Sequence, residues 1–502
     1  MQFRNYVGIN MANIQKSYNQ CVELFQKKQF KNIIQEYDLL VKNFQKDITI
    51  LNILGISLIN EKEFIKATNV FEKIKLINPN YPNINVNLGN LYRLSGQYDN
   101  SIKCLNEEIQ TNPDNFQSYY NIALTYRLLG NTTLSLRNFK LSLEHVNQEH
   151  KTIINDICDS YLSILIEQGK NEEAFAICKN LLKKFPESTI IKWKLGNLYF
   201  GKNQYSKSSE LYKNALEIDK NNELIKFDLA LCLKKNGDIQ ESLSLFRDLN
   251  FGPAKAFYIE TLFQSGSEEV FFKELNDACE NYKGSRLLAN LSKYTSYLFD
   301  RNDIYPYCSD PFKFIQVNNV VSPNLLRDSI KEIDSLDLSL MNQELIKNGT
   351  QSSGNLFLIN SPALRILKNL IEKEIKKYRD NFSEENEYFI NFWPVKTKLN
   401  SWYVNLKKGG SLNYHFHHDG WISGTVYLEV PKTKDIKDGS IQFGFNNSNY
   451  KFIKGLPTIS YKPKEGDILL FPSSLNHRVN PFNETITGNR RVSLAFDLMP
   501  IE

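Results

Sequence analysis

Histidine is scarce in this chain, with six residues among 502. Cysteine is sparse too: seven residues at 21, 104, 158, 178, 232, 279 and 308, none in a C-x-x-C pair. That scatter excludes a disulfide framework and a thiolate zinc site, and reads as reduced core thiols of a cytoplasmic protein. No apolar run reaches the ~18 residues of a membrane-spanning helix, so no membrane partner is expected. Residues Met1–Gln15 mix Asn, Arg and Gln with apolar side chains and lack a secretory apolar core. Charge of one sign is missing as well. Lys+Arg 61 against Asp+Glu 56 leaves +5, with no basic tail, which argues against a nucleic-acid partner. With 41% hydrophobic and 23% charged residues, the composition is that of a folded chain and excludes wholesale disorder.

What is present is unevenly distributed. His415, His417, His418 and His477 crowd into the last quarter, as do Trp393, Trp402 and Trp421. The first half instead repeats itself at a 34-residue period. Leu54, Gly55, Leu58, Phe64, Ala67, Phe71 and Pro79 return as Leu88, Gly89, Tyr92, Tyr98, Ser101, Leu105 and Pro113. The pattern continues through Ile122, Ala123 and Phe139, slips in phase, and resumes with Leu165, Ala174 and Cys178, followed by Leu195, Gly196 and Tyr212, then Leu229, Ala230 and Phe246. A pair of antiparallel helices per repeat explains it. Gly or Ala sits where two helices approach closely, and large apolar residues three and four apart build the seam. Gly96, Gly130, Gly169 and Gly237 fall at the turns, where left-handed backbone is needed. Pro79, Pro113 and Pro186 end second helices. The pattern resembles the tetratricopeptide repeat, with about seven copies over residues 15–250. Such arrays form superhelices that bind peptides or protein segments, so a protein or peptide partner is expected.

Residues 251–310 lose the period and read as an irregular helical cap and linker. From residue 311 to 502 the pattern changes again. Asn324–Leu336 and Pro362–Asn381 read as helices. Short alternating segments then dominate: Tyr388–Trp393, Lys398–Leu406, Ser411–His417, Ile422–Glu429, Ser440–Phe445, Ile459–Tyr461, Asp467–Phe471 and Arg491–Leu498. The fold class is therefore α+β multidomain: an all-α repeat superhelix followed by a jelly roll with flanking helices.

On a strand, residues two apart share a face, so His415, His417 and, if the strand continues, Asp419 point to one side. Two ligands from one strand plus a distant His477 form the layout of a facial non-haem Fe(II) site. Arg491 and Ser493 share a face further on, a guanidinium fork and a hydroxyl suited to a carboxylate. Tyr403 and Asn405, on the strand before the histidines, are candidates to line the same pocket.

These segments carry a second resemblance. They are His415-Phe-His417, Trp421 to Leu428, Gly466 to His477, Arg491 to Phe496 and, upstream, Gly354 to Phe357. Residues 402–498 resemble the 2-oxoglutarate/Fe(II)-dependent oxygenases, in the bacterial group with N-terminal tetratricopeptide repeats. The resemblance implies Fe(II), with 2-oxoglutarate and O2 as co-substrates, and 2-oxoglutarate held by Arg491 and Ser493. It implies hydroxylation of a protein or peptide that the repeats recruit. Two ligand registers stand side by side: His417, Asp419 and His477 in the HxD…H pattern of the superfamily, or His415, His417 and His477 as in the subgroup. His418 is read as pointing away. A repeat scaffold with a silent jelly roll, or a metal site without 2-oxoglutarate, is the alternative reading.

Overall fold

The computed structural model describes residues 16–501 except 130, 251, 337, 339, 342–344, 360 and 484. Gly130 and the stretch up to residue 15 thus lie outside the described residues. By internal contacts the chain divides into two compact units, Met1–Ile164 and Leu165–Glu502. The boundary falls inside the helix Lys151–Glu167.

In the first unit, Ile48–Asn60 pairs with Phe64–Ile77, Ile84–Leu94 with Tyr98–Thr111, and Phe116–Leu128 with Thr132–His145. In the second, Thr189–Phe200 pairs with Tyr205–Ile218 and Glu223–Asn236 with Ile239–Arg247. The small residues sit where the pattern demands them. A Cβ on Gly55 would lie 2.6 Å from the Phe71 ring, and one on Gly196 would lie 2.5 Å from Tyr212. The seam also carries a recurring hydrogen bond. Ser135 Oγ donates to the Ala123 carbonyl at 2.8 Å, Ser208 to Gly196 at 2.9 Å, and Ser242 to Ala230 at 2.8 Å. The turn glycines Gly96, Gly169 and Gly237 have φ of 79°, 73° and 95°. The helices Phe64–Ile77 and Tyr98–Thr111 stop short of Pro79 and Pro113.

The helical pairing outlasts its sequence signature. Gly252–Gln264 and Glu268–Asn281 form another contacting pair, with left-handed Gly266 at the turn, and Arg286–Leu298 follows.

The strands are β1 (Gln316–Asn319), β2 (Leu340–Met341), β3 (Ile346–Ser352), β4 (Thr397–His415), β5 (Ile422–Glu429) and β6 (Lys432–Thr433). They continue with β7 (Ile441–Gly444), β8 (Thr458–Tyr461), β9 (Asp467–Pro472), β10 (Asn476–Val479), β11 (Thr485–Thr487) and β12 (Arg490–Pro500). All pairings are antiparallel, in the order β1-β9-β5-β12-β4-β10-β7-β8, with β3 also on β4 and β2 beyond it. The ten-stranded sheet of the jelly roll bends at β4. Its first half pairs with β12 and its last residues with β10. Between them Gly409 has φ of 76°, and a Cβ on Gly410 would meet the Lys407 carbonyl at 2.5 Å. The Gly pair lets this long strand bend.

Alternation then assigns two faces. Val492, Leu494, Phe496 and Leu498 of β12 join Ile422, Val426 and Leu428 of β5 in a core shared with the helices Gly252–Gln264, Arg286–Leu298 and Pro362–Asn381. Arg491, Ser493, Ala495 and Asp497 face the interior of the roll. One expected strand is absent: Tyr388–Asn391 is a helical turn. Its apolar residues also fit i,i+4 spacing, and Tyr388 stacks on Phe392 at 4.4 Å between ring centroids.

Candidate metal centre

Strand pairing itself builds the site. His415, at the end of β4, is the direct cross-strand partner of His477 on β10, and their ring centroids are 4.2 Å apart. His477 stands on a short strand of its own, Asn476–Val479. His417 follows β4, its backbone N–H donating to the Ser473 carbonyl at 3.1 Å. One ring nitrogen from each of His415, His417 and His477 lies within 4.8 Å of the others.

The ring orientations are fixed by hydrogen bonds. His415 Nδ1 lies 2.9 Å from the Asn413 carbonyl, and His477 Nδ1 lies 3.3 Å from that of Leu475. His417 Nδ1 is 2.7 Å from Asp497 Oδ1. A carbonyl only accepts, so the proton of His415 and of His477 sits on Nδ1, as the Asp497 carboxylate requires of His417. Nε2 of each ring keeps a lone pair for a cation. Burial, then the neighbouring His417, pushes the pKa of His415 down to about 4. Burial and then His415 hold His477 well below the ordinary histidine value. Neutral imidazoles of this kind are ready ligands.

Asp497 is itself anchored. Ser423 Oγ donates to its Oδ1 at 2.6 Å and lies 2.8 Å from Ser473 Oγ. Asp419 lies outside the histidine group. The chain turns after β4, and the Asp419 carboxylate takes a hydrogen bond from His418 Nδ1 at 2.8 Å.

The same cavity, about 290 Å³, reaches Arg491 and Ser493. Arg491 is 2% exposed, and its guanidinium stands 5.0 Å from the Tyr427 ring centroid. Its Nε and the Tyr427 hydroxyl are both buried without a hydrogen-bond partner, and no carboxylate pairs with Arg491 among the described residues. Burial lowers the Arg491 pKa and pushes that of Tyr427 up to about 12. A buried unpaired guanidinium is costly unless an anion completes it. Three imidazoles whose Nδ1 atoms are held by oxygens, beside a buried guanidinium with no carboxylate partner among the described residues, fit Fe(II) and a dicarboxylate. Trp402 and Val404 of β4 line the cavity. Tyr403 alternates with them and packs in the opposite core, and Asn405 shares its face.

Four further residues shape the site. Asp497 and Ser423 have been described; the others come from the helix Arg286–Leu298. Arg286 donates to the carbonyls of His418 at 3.1 Å and Asp419 at 3.3 Å. Asn290 donates to the Ser474 carbonyl at 2.8 Å. Ser423 falls within the Trp421 to Leu428 motif segment, and Asp497 is legible as the next but one residue on the face of Arg491 and Ser493.

Residues 400–497 match the family model described as "Putative 2OG-Fe(II) oxygenase". Tetratricopeptide-repeat models match residues 89–130, 163–188 and 191–222. Among curated proteins, the chain is 20% identical over 171 residues to Tetratricopeptide repeat protein 6 of Homo sapiens, 34% of this chain and 30% of that protein. It is 23% identical over 378 residues to TPR repeat-containing protein MJ1428 of Methanocaldococcus jannaschii, 65% of this chain and 63% of that protein. The chain thus spans less than two thirds of the length of either relative. Among solved structures it resembles a Pseudomonas putida prolyl-4-hydroxylase, with 13% identity, 38% of this chain and 93% of that chain covered, and a TM-score of 0.28. A likeness at that level transfers neither substrate nor mechanism.

Proposed function

From a chain that joins tetratricopeptide repeats to a domain of the 2OG-Fe(II) oxygenase family, we propose an Fe(II)- and 2-oxoglutarate-dependent hydroxylase acting on a protein or peptide. His415, His417 and His477 hold the metal. The observation that carries this reading is the set of three Nδ1 atoms each tied to an oxygen, next to the buried, unpaired Arg491.

When bound, iron and 2-oxoglutarate supply the redox chemistry: substrate, 2-oxoglutarate and O2 give hydroxylated substrate, succinate and CO2. The chain's own residues bind and orient. Arg491 and Ser493, which line the same cavity, would hold the far carboxylate of 2-oxoglutarate through guanidinium and hydroxyl hydrogen bonds. Tyr427 offers its unpaired hydroxyl beside them. Asp497 holds the His417 ring at its Nδ1, which would leave Nε2 as the ligand atom for a metal. Phe471, Ile441 and Val479 line the cavity with apolar surface and limit water.

The test is anaerobic addition of Fe(II) and 2-oxoglutarate to the full chain. A visible metal-to-ligand charge-transfer band that disappears in His477→Ala and weakens in Arg491→Ala is the expected result. No band, and no succinate under air, overturns the reading. His415→Ala and Asp419→Ala, assayed separately for Fe(II) binding, decide the ligand register, with loss expected for His415→Ala alone.

A further inference from the structure

A further cavity adjoins the interior one at the histidines. It has a volume of about 540 Å³ and shares His415, Phe416 and His418 with the interior one. Its far wall consists of helices from the repeat region, Glu223–Asn236 and Gly252–Gln264, which contribute Lys235, Phe257 and Gln264. Phe200 stands beside them, and Asn449 faces them from the jelly roll.

Charge in this cavity is unbalanced for a specific reason. Lys234, Lys235 and Glu260 line it. Both carboxylate oxygens of Glu260 are taken, Oε2 by the Lys234 ammonium and Oε1 by the Tyr450 hydroxyl at 2.7 Å. Lys235 is exposed, with no carboxylate in ion-pair range among the described residues. One free ammonium therefore lines a cavity that shares three residues with the histidine site. The other walls are aromatic rings, the leucines Leu231, Leu287 and Leu345, side-chain amides and the Ser448 hydroxyl, which serve apolar side chains and a peptide backbone's donors and acceptors alike. A space of about 540 Å³ is within the range of pockets that enclose a drug-sized ligand, which is also room for a short peptide segment.

We propose that this cavity admits an acidic polypeptide segment, and that Lys235 pairs with an Asp or Glu beside the residue that reaches the metal. This rests on the oxygenase reading for what happens at the metal, while the binding preference itself is independent of turnover. Lys235 is then a specificity-determining residue, and the helices of the repeat region form one wall of the substrate site.

The test uses the metal-free full chain and a library of short random peptides. Bound peptides are sequenced by mass spectrometry for the parent, Lys235→Gln, Lys235→Glu, and a control change of equal charge at exposed Lys220. The expected result is enrichment of Asp or Glu at one position by about fivefold, the worth of one partly exposed ion pair. Lys235→Gln loses it, Lys235→Glu turns it toward Lys or Arg, and Lys220→Glu leaves it intact. Retention of no peptide overturns the proposal. So does an identical bound pool for all four proteins. The charge-transfer band of the parent protein, measured separately, reports on the oxygenase reading alone.

Discussion

Asp497 Oδ1 lies 2.7 Å from Nδ1 of His417, with Ser423 donating to the same oxygen. In the proposed site this carboxylate orients an imidazole ligand. Asp497→Asn keeps the volume but removes the charge that favours a proton on Nδ1. Metal affinity is expected to fall by about 10- to 100-fold. Titration with Co(II), read through its visible bands, checks this. Unchanged affinity in a folded Asp497→Asn protein would mean that the pair is structural only.

Arg491 yields a prediction with opposite signs for stability and binding. The ligand-free chain buries a guanidinium without a carboxylate partner. Arg491→Met removes that burden, and the ligand-free protein is expected to gain roughly 1–2 kcal/mol. The variant also loses the anion partner, so 2-oxoglutarate no longer raises Tm. Thermal unfolding with and without 2-oxoglutarate reads both effects. A variant that unfolds earlier and still responds to 2-oxoglutarate would contradict the account.

Period decided what was legible. The 34-residue repeat gave helix pairs because each pair closes its seam locally, as Gly196 and Tyr212 do. Arg491 and Ser493 were legible because alternation along β12 is strict, and carrying it two residues further than Ala495 reaches Asp497. Alternation also separates Tyr403 from Trp402, yet nothing local says which of the two faces the cavity. That choice depends on the helices covering the outer face. The position of Asp419 depends on where β4 stops, and its stop follows from pairing with β10 and from Arg286 holding the carbonyls of residues 418 and 419. Those are contacts of long sequence separation, invisible to spacing.

The repeat seam makes its own prediction. Gly196→Ala puts a methyl 2.5 Å from the Tyr212 ring, a residue that is 1% exposed and cannot move freely. Overpacking of this kind costs about 1–3 kcal/mol. Chemical denaturation is expected to show that loss, and Gly201→Ala, where a Cβ meets its nearest atom at 3.6 Å, is the control with little effect.

The helix Arg286–Leu298 touches both segments that carry the histidines. Arg286 binds the carbonyls just after His417, and Asn290 binds the Ser474 carbonyl, three residues before His477. Asn290 is 4% exposed, so Asn290→Ala leaves a buried carbonyl without its donor. A cost of about 1–2 kcal/mol follows. Because the freed segment positions a proposed ligand, metal affinity should fall by about tenfold as well. The two effects separate by experiment. Well below the unfolding midpoint, the folded fraction barely changes, so a loss of Co(II) affinity there reports on geometry and not on stability. Equal affinity at equal folded fraction would make Asn290 a packing residue. A weaker site in both Asn290→Ala and Arg286→Ala would show that this helix, outside the jelly roll, sets the geometry of the metal site.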